Sequence, residues 1–510
     1  MSDFSGSGTA DESAESGRGW VLPLCVLVVG AFMSVLDTSI VNVAVPAIQL
    51  DLSAAADDVE WIVTGYTLAL GVVVPLTGWL GDRIGRTTLY ILSMVGFAAA
   101  SALCGAAWDL DSLIAFRILQ AIPGGILPVV TMTILYQIVP PAKIGAAGGI
   151  YGLGVVVAPA VGPVLGGYLV EYVDWRLIFY INVPIGVLGT IAAIAVFPRI
   201  RPATWPRFDL WGFLTIAYGL FALLLAFSEG QDWGWTSYRI LALFLSGLLS
   251  LALFVVIELE VDDPLIDLRV FASGAYTLSI VLLGVAVTGL FTTLFFIPQF
   301  LQVVQGLQAL DAGLVLVPSA LVLVVMVPLA GRLYDRFGPR WPVVSGLLVM
   351  AYGSYLLAHL TANTPRADVE LWTSIRNVGT GLALIAIITA GVSALRPTLT
   401  VSGSAMNNVV QRVASSVAVA VFSGLNTSAS AQLLVDRGSL YGHGPAELPE
   451  IRTATEQGAS GLLPLYRQLT AGITTETYAN GFFVVALLCA AAAVLALFLR
   501  SGRARAGTAP

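Results

Sequence analysis

The stretch GWLGDRIGR, residues 78–86, decides the architecture because a close copy of it occurs later in the chain. That copy, GRLYDRFGPR at residues 331–340, has glycine, Asp-Arg and glycine at matching offsets, 253 residues further on (331 − 78). Each copy is short and charged and lies between two apolar runs, which predicts a tight turn between two helices. A repeat at this separation predicts two halves of several helices each.

The composition indicates a membrane protein. Hydrophobic residues make up 57% of the chain, charged residues only 11%, and the mean hydropathy is +0.88. Soluble domains carry about 25% charged residues, and about 20 apolar residues span a bilayer. We therefore predict fourteen spans, at residues 21–46, 60–80, 87–107, 111–136, 145–170, 177–197, 210–228, 238–257, 274–298, 312–330, 341–361, 371–395, 402–425 and 479–499.

The distribution of positive charge predicts the orientation of these spans. With the N-terminus inside, 15 of the 24 lysines and arginines fall on the cytoplasmic side, six on the other side and three within spans. Cytoplasmic loops carry such an excess in multi-pass proteins. The near-exclusive use of arginine over lysine indicates a GC-rich bacterial genome. We therefore expect a bacterial plasma membrane, with both termini cytoplasmic.

The repeat divides the chain into two six-helix halves around an inserted pair, because its separation equals eight spans with their loops. The predicted domains are a disordered cytoplasmic tail at 1–19, an N-terminal half at 20–198, a linker with two extra transmembrane helices at 199–269, a C-terminal half at 270–500 that includes a long outer loop at 426–478, and a cytoplasmic tail at 501–510.

Six motifs occur in order along the chain. They are LDTSIVNVAVP (36–46), WIVTGYTL (61–68), the turn at 78–86, Arg117-x-x-Gln120, Gly154 followed by GPVLGG (162–167), and WRLIFYINVPIG (175–186). Together they resemble the major facilitator superfamily, and within it the 14-helix drug:proton antiporters of the EmrB/QacA type. The resemblance covers spans one to fourteen. It implies an all-α integral membrane protein with the major-facilitator fold, active in multidrug efflux and antibiotic resistance.

The two turns have a functional and a plain interpretation. The arginines alone fit a positive-inside anchor, but the aspartates do not, so we favour a conformational latch. In the family, such a turn is thought to stabilise one of the two access states. The latch residues are Gly78, Asp82, Arg83, Gly85, Arg86, Gly331, Asp335, Arg336 and Gly338.

Small residues recur every four positions on span five. Gly154, Ala158, Gly162 and Gly166 form one stripe, which predicts the close approach of a neighbouring helix. The resemblance implies that this packing is also an antiporter seal against leak. The motif residues are Gly154, Gly162, Pro163, Gly166 and Gly167.

Asp37 lies within the first apolar run, where a charge is costly and indicates function. It lies about 15 Å below the outer end of its span and Arg117 about 10 Å below that of span four, so the two are candidate partners. Desolvation and a nearby arginine act on a carboxyl in opposite directions, which favours proton coupling at this pair. The plain alternative is a static ion pair that only orders the bundle.

Polar residues within the spans are candidates for a substrate cavity. They are Asn42, Trp61, Thr64, Tyr66, Gln120, Gln411 and Arg412. Trp61 lies at the outer end of span two, where a role in the aromatic belt is the better interpretation. Arg376 is expected either to face the cavity or to extend to the outer interface. With Asp37 as the one deep acid, monocationic or neutral lipophilic compounds are the expected substrates.

Other classes of function lack support. Lys143 is the only lysine, so no ATP-binding G-x-x-x-x-G-K-[ST] loop exists, and we expect no enzyme, no cofactor, no metal and no nucleic-acid partner. The expected partners are lipophilic small molecules, protons and membrane lipids, around a monomer driven by the proton gradient. Export of an endogenous lipid or metabolite by the same machinery is the alternative. A receptor or scaffold would not require the paired turns or Asp37.

Overall fold

The computed structural model describes residues 19–140, 143–197, 207–442 and 459–499. Within them all regular structure is helical, without a strand. The predicted tails lie outside these residues apart from Gly19, as does 443–458 of the predicted outer loop. The all-α part of the predicted fold class is confirmed.

The N-terminal half contains nine helices. They are α1 (Val21–Asp51), α2 (Ala56–Val59), α3 (Trp61–Val73), α4 (Leu76–Ile84), α5 (Arg86–Gly105), α6 (Leu110–Ile138), α7 (Ile144–Tyr172), α8 (Leu177–Tyr180) and α9 (Asn182–Val196). The predicted span 60–80 is broken into α3 and α4, which meet at a bend of 58°. Pro75 lies at this bend, and its missing N–H and fixed ring interrupt the helical hydrogen bonds.

The inserted pair and the C-terminal half follow. The pair is α10 (Leu210–Glu229) and α11 (Tyr238–Glu260), and the half is α12 (Gly274–Gln299), α13 (Ala309–Phe337), α14 (Arg340–Leu357), α15 (Arg366–Ser393), α16 (Thr400–Gly442) and α17 (Ala459–Ala496). The predicted outer loop 426–478 differs from this arrangement, because α16 and α17 make it helical over 426–442 and 459–478.

The number of spans is supported in part. Among the described residues, eleven helices are long and apolar enough to cross a membrane, and twelve if the bent pair α3–α4 counts as one span. The other two predicted spans coincide with α14 and α16, which are helical but are not among these candidates. A count of fourteen therefore stays a prediction.

The halves join at one face of the molecule. We call it the motif face, because the turns 78–86 and 331–340 lie there, and we call the opposite side the far face. An apolar cluster at the motif face combines both halves, with Leu24, Leu135 and Ala147 from one and Leu282, Val343 and Ile387 from the other. Toward the far face each half has a cluster of its own, around Ile40 and Phe179 or around Phe296 and Phe482.

The inserted pair is tied to the C-terminal half at the motif face. Glu258, near the end of α11, is only 4% exposed, and its Oε1 accepts a hydrogen bond from the Ile266 N–H at 3.3 Å. The next residue, Asp267, donates its N–H to the Ser402 hydroxyl on α16 at 3.1 Å. Sequence analysis missed this buried acid because it lies close to the end of its span.

Candidate functional site

Asp37 accepts hydrogen bonds from three side chains on two other helices. Arg117 Nη1 lies 2.5 Å from Oδ2, Gln120 Nε2 lies 2.9 Å from Oδ1, and Asn182 Nδ2 lies 3.0 Å from Oδ1. All four side chains are buried. The expected partnership of Asp37 and Arg117 is present, inside the N-terminal half and between α1, α6 and α9.

A second set of contacts surrounds Arg117. Its Nη1 also donates to Gln120 Oε1 at 2.6 Å, and its Nε donates to the Ile62 carbonyl at 3.4 Å. Its guanidinium carbon lies 3.8 Å from the centre of the Tyr66 ring, a cation–π arrangement. The Ser101 hydroxyl accepts from Gln120 Nε2 at 2.6 Å. The charge pair is thus held by a connected polar network, as burial of two charges requires.

Two members of this network were not identified from the sequence. Asn182 belongs to the quoted motif WRLIFYINVPIG, but nothing in the motif says that its amide faces Asp37. Ser101 lies in an apolar run of small residues, where a serine is unremarkable. A polar residue within a predicted span was the available signal for both.

The first turn contains an ion pair between two of its own residues. Gly85, with φ = +87°, separates α4 from α5, and Arg86 Nη2 pairs with Asp82 Oδ1 at 3.0 Å. Arg83 lies over the Trp79 ring, 5.1 Å from its centre. Gly78 approaches the other half, since a Cβ built on it lies 3.3 Å from Val401 Cγ1 at the start of α16.

The second turn reaches across to the other half. Gly338, with φ = +79°, ends α13, and Asp335 accepts from the backbone N–H groups of Gly145 and Ala146, both at 2.9 Å. These groups begin α7, where a negative charge is favourable. A Cβ built on Gly331 would overlap the Gly145 carbonyl, so glycine is needed there. Arg336 is exposed at the same end of α13.

The small-residue stripe of α7 packs on α1. A Cβ on Gly154 would lie 2.3 Å from Val28 Cγ1, one on Gly162 would lie 2.6 Å from Ser39 Oγ, and one on Gly166 would lie 3.1 Å from the Ile40 carbonyl. The predicted close approach is therefore present. Gly167 differs, because nothing lies within 4 Å of its Cβ position. The Pro163 side chain lies outside the described part.

The sequence matches the Major Facilitator Superfamily over residues 27–419 of the 510. The chain belongs to this superfamily. Membership confirms the resemblance inferred from the motifs and indicates a transporter rather than an enzyme.

Named relatives cover most of the chain. The Tetracenomycin C resistance and export protein of Streptomyces glaucescens is 31% identical over 97% of this chain and 94% of its own length. The multidrug export protein EmrB of Escherichia coli K12 is 30% identical over 91% of this chain and 88% of its own. The solved structure of the proton:xylose symporter XylE has a TM-score of 0.57 at 14% identity, covering 93% of this chain and 95% of its own, which is a likeness of fold.

Four predicted cavity residues of this transporter lie elsewhere. Thr64 Oγ1 is 3.3 Å from the Ser228 hydroxyl of α10, and Trp61 packs with apolar side chains of the inserted pair. Both therefore face the inserted helices, because α3 packs against α10. Gln120 belongs to the Asp37 network. Asn42 is exposed on α1.

The remaining predicted cavity residues meet where the two halves face each other. Tyr66 is buried over Arg117, and its hydroxyl has no hydrogen-bond partner among the described residues. Arg412 is partly exposed on α16 of the other half, and α16 packs against α6, the helix that carries Arg117. Gln411 bonds to the Asn407 carbonyl of its own helix at 3.3 Å.

A pocket of about 320 Å³ lies beside this region, between α12 and α16. It is lined by Gly284, Thr288, Val409, Val410, Val413, Ala414 and Val417, so its wall is apolar apart from one hydroxyl. None of the predicted cavity residues lines it. Among the described residues, no group of three or more His, Cys, Asp or Glu side chains is placed to hold a metal ion.

Proposed function

We propose that the protein is a proton-coupled multidrug efflux antiporter that exports lipophilic compounds by alternating access. The observation that carries the proposal is the buried Asp37 carboxylate, held by Arg117, Gln120 and Asn182 within the N-terminal half. Relatives named as export proteins at about 30% identity support the efflux direction. The proton gradient is the energy source in this proposal, without a further cofactor.

The coupling follows from the electrostatics of the pair. Ionised Asp37 neutralises Arg117, whereas a protonated Asp37 would leave a buried guanidinium without its counter-charge, which is strongly unfavourable. Protonation would therefore favour a different packing of the helices around Arg117. An intramembrane carboxylate that changes charge in this way can bias the equilibrium between two access states.

The direction of transport follows from the assignment of the two faces. We assign the motif face to the cytoplasm because the predicted order of spans puts 15 of the 24 basic residues on that side. The state described above, joined at the motif face, would then release substrate outward and accept protons from outside. Opening of the motif face, with Asp335 leaving the start of α7, would return the site to the cytoplasm.

The test uses inverted membrane vesicles with the native chain, Asp37→Asn or Asp109→Asn. Asp109 is an exposed helix cap whose pKa is lowered by hydrogen bonds from Ser112, so it is a matched carboxylate without a transport role. Vesicles are energised by respiration, and uptake of a cationic, a neutral and an acidic fluorescent lipophile is followed before and after an uncoupler is added.

We expect native and Asp109→Asn vesicles to accumulate at least one probe until the uncoupler is added. Asp37→Asn vesicles, with equal amounts of folded protein, should lose at least nine-tenths of that accumulation. Equal accumulation by Asp37→Asn would make the pair structural and would refute the coupling. If the native protein accumulates no probe, the multidrug proposal fails and export of an endogenous lipid or metabolite takes its place.

A further inference from the structure

The deep charges of this transporter do not balance. Within the described helices α1 to α16, four charged side chains lie more than six residues from either end, namely Asp37, Arg117, Arg376 and Arg412. On α17, Glu476 is exposed and lies five residues after the start of the apolar stretch Ala471–Ala496, near the membrane boundary. Asp37 and Arg117 neutralise each other. Neither Arg376 nor Arg412 forms an ion pair among the residues that the structure describes. Two positive charges on α15 and α16 therefore remain in the membrane interior.

Arg412 faces the space between the halves. It lies twelve residues, about 18 Å, beyond the start of α16, so it is deep in the membrane. Its side chain is nevertheless partly exposed, and its helix α16 packs against α6 of the N-terminal half. A partly exposed arginine at this depth faces a water-filled cavity rather than lipid.

Arg376 is the second uncompensated cation, and it does not extend to the interface. It is fully buried, its Nε donates to the Ser354 hydroxyl at 3.1 Å, and its Nη1 and Nη2 have no hydrogen-bond partner among the residues that the structure describes. Ser354 lies 253 residues after Ser101, the separation of the two turns, and Ser101 accepts from Gln120 in the Asp37 network. Arg376 therefore bonds to the counterpart of a serine of that network.

The repeat also shows which charge the C-terminal half lacks. Asp37 lies nine residues before Pro46 on α1, and Gly289 lies nine residues before Pro298 on α12. A Cβ built on Gly289 lies 3.1 Å from Arg376 Nη2, so this glycine occupies the position of the missing carboxylate. The C-terminal half thus has the arginine of the pair without the acid.

We propose that the exported compounds carry a carboxylate, which pairs with Arg412 between the two halves. A guanidinium binds a carboxylate through two parallel hydrogen bonds, and the low dielectric of the site strengthens the attraction. Arg376 adds to the positive potential, which repels lipophilic cations. The inference rests on the proposed efflux function and replaces the expectation of monocationic substrates, which considered the one deep acid but not the two unpaired arginines.

The test measures binding to the purified protein in detergent, so it needs no proton gradient. The probes are pyrenebutyric acid, its amide and a pyrenebutyl trimethylammonium salt, which share one apolar body. The proteins are the native chain, Arg412→Gln, Arg412→Lys and, as a matched control, Arg366→Gln at the exposed start of α15. Dissociation constants are obtained from fluorescence titrations.

We expect the native protein to bind the acid at least tenfold more tightly than the amide or the trimethylammonium salt. Arg412→Gln should weaken binding of the acid at least tenfold and leave the amide unchanged, Arg412→Lys should lose less, and Arg366→Gln should match the native protein. The inference is overturned if the acid does not bind, if the cation binds as tightly as the acid, or if Arg412→Gln leaves acid binding unchanged.

Failure of the inference and failure of the proposed function give different results. If uptake is sensitive to the uncoupler and depends on Asp37, but the titrations show no preference for the acid, then only the proposal of carboxylate substrates is refuted. If the titrations show a preference for the acid that depends on Arg412, but native and Asp37→Asn vesicles take up the probe equally, then only the proposal of proton coupling at Asp37 is refuted.

Discussion

Asp37 and Arg117 are each other's counter-charge. Both are buried, so solvent cannot stabilise one charge if the other is removed. Asp37 is fully buried and Arg117 is 1% exposed, so removal of one partner leaves an ion in an apolar bundle. Gln120 and Asn182 reduce that penalty but carry no charge. The pair therefore stabilises the folded protein only when both residues are present, and either residue alone destabilises it.

A double-mutant cycle tests this dependence. We expect Arg117→Gln to destabilise the folded protein by about 3–5 kcal/mol, because it leaves the Asp37 charge unpaired. The double variant Asp37→Asn/Arg117→Gln should lose clearly less than the sum of the two single variants. Stability is measured by thermal unfolding in one detergent at a constant pH. Additive losses would show that the two side chains do not depend on each other.

At the scale of helices, the two turns differ in what their aspartates contact. Asp335 of the second turn receives two N–H groups from the start of α7, in the opposite half. Asp82 of the first turn pairs with Arg86 of its own turn. The two copies of one motif therefore contribute unequally to the closed motif face, and Asp335 is the copy that joins the halves.

We expect Asp335→Asn to weaken the closed motif face by about 1–2 kcal/mol, because it removes a negative charge that accepts two N–H groups at a helix N-terminus. That is a shift of about 5–30-fold in the population of access states. It is measured by pulsed electron spin resonance between labels at Leu50 and Leu371, both exposed toward the far face. The exposed native cysteine, Cys25, is replaced by serine.

The distance between the two labels should shorten in Asp335→Asn, because opening of the motif face closes the far face. Asp82→Asn is the matched control and should change the distribution much less, since the hydrogen bond that Asp82 accepts within the described structure comes from Arg86 of its own turn. An unchanged distribution in Asp335→Asn, or equal changes in both variants, would contradict the assignment of Asp335 as the stronger latch.

At the scale of the whole molecule, the halves meet through small residues of α7. A Cβ on Gly148 would lie 3.0 Å from Thr389 Oγ1 on α15, and one on Gly149 would lie 3.0 Å from the Cα of Pro328 on α13. Apolar clusters toward the far face stay within one half each. The molecule therefore consists of two packed bodies with a shared surface at one end, which is the arrangement that rocking requires.

A disulfide across this surface should stop transport. The variant Gly148→Cys/Thr389→Cys has its sulfur positions within reach of a normal disulfide. We expect oxidation to reduce uptake of a transported probe in vesicles at least tenfold, and a thiol reductant to restore it. The control pair is Gly96→Cys/Pro123→Cys, whose Cβ atoms would lie 3.6 Å apart within one half. Transport that persists after complete cross-linking of the first pair would exclude rocking at this surface.

The membrane class, the repeat and the superfamily could all be predicted from the amino-acid sequence, because they depend on local features. A run of about 20 apolar residues predicts a membrane span, whichever helices the span packs against. Glycine in a turn reflects a backbone conformation, as the positive φ angles of Gly85 and Gly338 show. Even the partnership of Asp37 with Arg117 followed from depth along two helices, since the rise per residue is constant.

Only the tertiary structure decided which way each polar side chain faces. Thr64 and Trp61 face the inserted pair, and Asn182 completes the Asp37 network. Arg376 lies beside Gly289, the position that corresponds to Asp37 in the other half. A helix rotates side chains by 100° per residue, so depth leaves open whether a group meets its own half, the other half or lipid. That rotation is set by packing between helices distant in sequence, which is why the unpaired charge of the C-terminal half emerged only from the fold.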